Sequence, residues 1–147
     1  MNQIENAVDT FKQGYNCAQA VLSARCHDFG LDRETAIKLT APFGGGIATT
    51  GEVCGAVSGA IMVLGLWCGS FDVGNPESKE KAYRITLEFI KKFKEKNHSI
   101  LCRNLIGMDI STPEGIENAR KEGVFTEMCP KFVRDASEIL EELMKCS

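Results

Sequence analysis

A chain of 147 residues with 44% hydrophobic content and a net charge of −3 suits one globular domain over residues 1–147, which would bury roughly 68–70% of its unfolded surface. The pI near 5.5 and the lysines set beside glutamates from residue 76 to 98 leave no basic stripe for a phosphate backbone. That excludes nucleic acid as a partner. The opening MNQIENAVDTFKQG has neither a basic n-region nor an apolar h-region, so the chain is expected in the cytoplasm without a cleaved leader.

Helical patterns recur along the whole chain. Ile4, Ala7, Val8 and Phe11 carry a helix over 3–13 that Gly14 stops. Asn16 caps a second helix running to about His27, and Asp32, after Gly30, caps a third that ends near Pro42. A loop from Phe43 to Gly51 leads into a central helix at about 52–68. Asn75-Pro76 opens the longest helix, with Ala82, Ile85, Phe89, Ile90 and Phe93 facing the core. Ser99 starts a short helix to Ile106, Thr112-Pro113 another to Lys121, and Cys129-Pro130 the last, to about Lys145. No alternating strand pattern persists for five positions. The expected fold is an all-α bundle of seven or eight helices around a central Gly/Ala-rich helix.

Residues 53–69, VCGAVSGAIMVLGLWCG, fall just short of the ~18 uncharged apolar residues of a membrane span. Their glycines argue for a helix buried in the bundle, so no membrane partner is expected. Gly51, Gly55 and Gly59 are four apart and would form one bare stripe, which Ala56 and Ala60 widen. Tight helix packing alone explains such a stripe; a cofactor approaching Gly55 and Gly59 explains it too.

Seven cysteines are many for a compartment that keeps thiols reduced. Cys17, Cys54, Cys102 and Cys129 fall at expected helix starts, whereas Cys26 and Cys68 lie near helix ends and Cys146 is the penultimate residue. Unpaired NH groups at a helix start favour thiolate over thiol, and thiolate is the form that binds metals and attacks disulfides. Core packing is the plain alternative for any one of them. His27 and His98 sit near helix ends beside charges and read as solvated caps, and Glu52 reads as a favourable charge in a first helical turn.

The segment Cys54-Gly55-Ala56-Val57-Ser58-Gly59, with Tyr15-Asn16-Cys17-Ala18-Gln19-Ala20 and the Gly44-Gly45-Gly46 turn, resembles a family of redox-active proteins of about this length. Four cysteines and a C-G-A-x-x-G motif define that family. Carried over by motif and order, its four positions correspond to Cys17, Cys54, Cys102 and Cys129. The resemblance implies a redox or metal role with an unassigned redox partner protein, and a similar domain looks like an iron-sulfur module beside haem in some multihaem cytochromes. This chain has no C-x-x-C-H, so covalent haem is not expected.

The loop GGGIATTGE lacks the G-K-[ST] ending of a phosphate-binding loop, and no Cys-His or Ser-His-Asp pairing stands at a suggestive spacing. Three classes stay open. In the first, the four cysteines converge on an iron-sulfur cluster or a zinc ion for electron transfer, although gaps of 37, 48 and 27 residues match no ferredoxin or zinc-ribbon spacing. In the second, the protein is a metal-free thiol-disulfide oxidoreductase lacking C-x-x-C. In the third, it is a helical binding protein with core cysteines. The oligomeric state is open.

Overall fold

Most helices in the computed structural model, which describes residues 2–145, begin where a polar side chain takes the free NH groups of the first turn. Asn2, Asn16, Asp32, Asn75 and Thr112 accept from the backbone NH of Glu5, Gln19, Thr35, Ser78 and Gly115. They open α1 (Gln3–Lys12), α2 (Cys17–Ser23), α3 (Arg33–Thr40), α5 (Pro76–Asn97) and α7 (Pro113–Lys121). Between and after them lie α4 (Gly55–Cys68), α6 (Cys102–Ile106), the single turn α8 (Val124–Glu127) and α9 (Cys129–Lys145). The fold is all-α, as the periodicity predicts. An isolated bridge between Val53 and Leu101 is the sole extended pairing among the described residues.

Helix α4 carries no charge and is the hub, packing against α2, α5 and α9. It buries Ala56, Val57, Ala60, Val63 and Leu64, and α9 answers with Phe132, Val133, Ala136, Ile139 and Leu140. Phe89 and Phe93 of α5 stack at 6.2 Å between centroids, fully buried. Helix α1 lies against α9, where Arg134 grips Glu5 at 2.7 Å. Among the described residues no helix is long and apolar enough to cross a membrane.

Several boundaries differ from expectation, each for a local reason. The second helix stops at Ser23 because Arg25 leaves helical geometry (φ −124°) and sends its guanidinium inward to the Ser137 carbonyl, 3.2 Å away. Cys26–Phe29 then forms a 3-10 turn. The third helix ends at Thr40, and a separate 3-10 turn covers Ala41–Phe43. The central helix begins at Gly55, not at 52, since the backbones of Glu52 and Cys54 are taken by the strand-like pairing with 100–102. Glu52 is therefore outside the helix and pairs with Arg103 at 2.9 Å. Ser99 opens no helix; its hydroxyl accepts from the Leu101 NH, and α6 starts at Cys102. Helix α8 is unforeseen: Gly123 at φ +73° re-enters a helical turn just after α7.

Candidate redox site

Cys17, Cys54, Cys102 and Cys129 line one cavity of about 190 Å3. Its other side-chain walls are Phe11, Leu105, Ile106, Phe125, Phe132 and the cap residue Asn16, and among the described residues no charged or histidine side chain lines it.

Each cysteine is placed by its helix start. Cys17 is the first residue of α2, whose Asn16 cap forms a reciprocal box with Gln19. The same two side chains anchor α2 to α3, Asn16 Nδ2 donating to the Ala41 carbonyl at 3.1 Å and Gln19 Nε2 to the Ile37 carbonyl at 3.0 Å. Cys54 caps α4, one residue earlier than a first-turn placement, and its own NH donates to the Ile100 carbonyl at 2.7 Å. Cys102 opens α6 and donates its NH to the Glu52 carbonyl, also at 2.7 Å. These two bonds clasp Cys54 and Cys102 across the Val53–Leu101 bridge. Cys129 opens α9 directly after the α8 turn.

The glycines set how closely these pieces approach. A Cβ on Gly46 would stand 2.7 Å from Cys102 Cβ and 2.6 Å from the Glu52 carbonyl, so only glycine lets the loop pass behind Cys102. From Gly45 to Thr49 every residue is left-handed, including Ile47, Ala48 and Thr49 at φ 67°, 49° and 61°. On α4, a Cβ at Gly55 would lie 2.9 Å from the Ala18 nitrogen and 3.2 Å from Cys17 Cβ. Close approach of α2 and α4 at that point brings Cys17 against Cys54. Gly55 also lines the cavity. Gly59, one turn on, faces the Ala18 carbonyl, where an added Cβ would stand at 2.8 Å. Gly51 departs from the expected stripe: it is a turn residue at φ +76°, packed on Arg103 rather than on α4.

The thiols do not respond alike. The Cys129 and Cys54 thiols beside it, then burial, hold the proton of Cys17 far more firmly than usual. Cys54 is shifted the other way, first by the bond it accepts from Cys17, then by the NH groups of Ala56 and Val57, with burial opposing. Cys102 is pushed up to about 12 by burial first, then by Cys54 and Cys129. A helix start therefore does not make each of these thiols acidic. The neighbouring thiols at Cys17 and loss of water at Cys102 outweigh the helix NH groups there.

Of the remaining cysteines, Cys26 donates to the Ser23 carbonyl at 3.5 Å and Cys68 to the Leu64 carbonyl at 3.1 Å, both away from the cavity. Cys146 lies outside the described residues. Asn16 and Gln19, whose contacts orient the first cysteine, are not legible as site residues beyond the N-x-x-Q capping pattern. Among the described residues no group of three or more His, Cys, Asp or Glu side chains is disposed to hold a metal ion. The donor set itself, four soft sulfurs facing an apolar space, fits iron-sulfur or zinc chemistry, with ligation requiring the thiols to close around the metal.

Residues 15–143 match a family model described as "Putative redox-active protein (C_GCAxxG_C_C)". Neither a curated protein nor a solved structure matches the chain.

Proposed function

The chain belongs to the C_GCAxxG_C_C family of redox-active proteins, and from that premise we propose that Cys17, Cys54, Cys102 and Cys129 hold an iron-sulfur cluster that serves electron transfer to a partner protein. One observation carries the reading: four thiols from four separate helix starts line one apolar cavity that no cationic side chain among the described residues enters. Thiolates so placed repel one another and have lost water, so they persist only with protons or with metal cations among them. A bound cluster supplies one-electron chemistry at a potential set by its surroundings. The chain's own residues supply the rest: Phe11, Phe125 and Phe132 keep water away, Gly55 leaves room beside Cys54, and the Glu52–Cys102 and Ile100–Cys54 bonds hold two ligand backbones. A reducing compartment such as the cytoplasm suits such thiols.

The contact between Cys17 and Cys54 favours a second reading, thiol-disulfide exchange. Cys54 thiolate attacks a substrate disulfide, forming a mixed disulfide, and the leaving thiolate takes the Cys17 proton. Cys17 thiolate then attacks the Cys54 sulfur and expels the second substrate sulfur as a thiolate, which takes a proton from solvent; the protein gains a disulfide and the substrate leaves as a dithiol, two electrons having passed to it.

Anaerobic purification decides between them. About two or four irons with matching sulfide per chain, lost in Cys54→Ser, Cys17→Ser, Cys102→Ser and Cys129→Ser, is the expected result. A colourless protein without iron after anaerobic reconstitution, carrying one titratable Cys17–Cys54 disulfide, would replace the cluster with the second reading.

A further inference from the structure

Against the cysteine cavity lies a surface cleft of about 330 Å3, larger than the 190 Å3 within. The two share Phe11 and Phe125 as walls. Both shared rings are half-buried, whereas Phe132, which lines the cavity and not the cleft, is 5% exposed. The rim of the cleft is also next to the thiols in the chain: Tyr15 comes two residues before Cys17, and Pro130 follows Cys129. A Cβ added at Gly14 would meet nothing within 4 Å, so the rim is open there. The two sides of the rim are held unequally. Tyr15 sits under the Arg33 guanidinium at 5.3 Å, and Asn16 and Gln19 tie the segment after it to α3. Phe125 belongs to α8, a turn of four residues that starts from Gly123 at φ +73° without a side-chain cap and buries Val124 alone. A turn this short, hinged on a left-handed glycine and with few buried contacts, opens at lower cost than the helices around it.

We propose that this cleft is the mouth of the cysteine cavity and that Phe125 is its gate, α8 moving outward on Gly123 to part its ring from Phe11 and admit whatever reacts with the thiols. Because the narrowing falls at the two shared rings, Phe11 and Phe125 set the largest group that passes. Closed, the same rings keep water from the thiols, which is what a gate at a reactive site does. The proposal rests on the four thiols being the reactive centre and holds whether they take a metal or a substrate disulfide. Its test therefore reads alkylation of the reduced, metal-free full chain, a result that iron analysis does not decide in either direction.

N-ethylmaleimide and a maleimide bearing a bulky polyether chain are the probes, with the rate at each cysteine followed by peptide mass. Cys68, which lies away from the cavity, is the internal reference. In wild type the small reagent should outpace the large one by about tenfold at the fastest cavity thiol, and both rates should change little in urea below the unfolding transition, because opening one turn exposes little surface. Phe125→Ala should raise both rates about tenfold and narrow the gap between the reagents, leaving Cys68 unchanged. Thr126→Trp, on the exposed side of α8 and lining the cleft, should fill the mouth and slow both reagents, the larger one more. Circular dichroism confirms that each variant keeps its helix; were Phe125→Ala to unfold, Thr126→Trp and the urea series decide. Alkylation that accelerates with urea as steeply as global unfolding overturns the proposal. So does a folded Phe125→Ala alkylated at the wild-type rate, or a folded Thr126→Trp that slows neither reagent.

Discussion

The two ends of α4 each carry a cysteine, and they differ in almost every other respect. At the head, Cys54 is 4% exposed, has its pKa lowered by the neighbouring Cys17 thiol and the first NH groups of its helix, and shares a cavity with three more thiols. At the foot, about 20 Å away at 1.5 Å per residue, Cys68 is half-buried and spends its thiol proton on the Leu64 carbonyl. Beyond it Phe71 and Val73 are fully exposed. The head offers donors and company; the foot offers carbonyls and none. A cysteine's chemistry here depends on which end of a helix it occupies and on what faces it, not on its residue type.

The sharpest way to break that comparison is to exchange the two thiols' fates. Cys54→Ser should lower metal content, or disulfide cycling where no metal binds, at least tenfold, because an alcohol is a harder and far less acidic ligand. Cys68→Ser should leave both within error of wild type. Iron analysis and thiol titration read the result, and the reverse order would remove Cys54 from the centre.

Packing along α4 supplies the next contrast. Gly59→Ala would press a Cβ to 2.8 Å from the Ala18 carbonyl, whereas at Gly65 a Cβ meets nothing within 4 Å. The first should destabilise by about 1–3 kcal/mol through overpacking, and Gly59→Leu by more, damaging the cavity as α2 is pushed away. Gly65→Ala should stabilise by about 0.5–1 kcal/mol by restricting the unfolded chain. Thermal melts of the three variants give the order.

Acidity at the head can be separated thiol by thiol. In metal-free, reduced protein Cys54, shifted downward, should be alkylated before Cys102, which keeps its proton up to about 12. The sign for stability follows. Cys102 is raised in the folded state, so its contribution is complete below the unfolded value near ~8.5 and is lost as pH rises from there through its folded value. Cys102→Ser should flatten that alkaline fall in denaturant midpoints. Equal alkylation rates at the two sites would refute the ordering.

The smallest effect belongs to the clip beneath Cys102. Arg103→Gln removes the half-exposed ion pair to Glu52. Exposed pairs contribute about 0.2–1 kcal/mol, so a Tm loss of a few degrees at most is expected, with the cavity intact.

The all-α class is legible in the regular return of apolar residues and in caps such as Asn16, Asp32 and Asn75, because both signals act within one or two turns. The exact head of α4 is not. Glu52 and Cys54 have helical neighbours in sequence, but the Glu52 carbonyl and the Cys54 NH pair with Cys102 and Ile100, about fifty positions later. Arg25 likewise ends α2 for a partner on α9. Helix-start reasoning selects the four cysteines that meet and expects at least one acidic thiol among them, which Cys54 supplies; that Cys17 and Cys102 shift the opposite way follows from neighbours and burial found only in the folded arrangement. The conformation of Ile47, Ala48 and Thr49 is equally hidden: nothing in those residue types invites a left-handed turn, and the contacts around Gly45 and Gly46 impose it.

The Val53–Leu101 bridge also bears on the order of assembly during synthesis. It joins segments on either side of α4 and α5, so the clasp on Cys54 waits until both helices have left the ribosome, and Cys129 emerges later still. Closing such long loops precedes any reward from the contacts they enable. Whatever fills the cavity thus meets all four cysteines only after nearly the whole chain has been made.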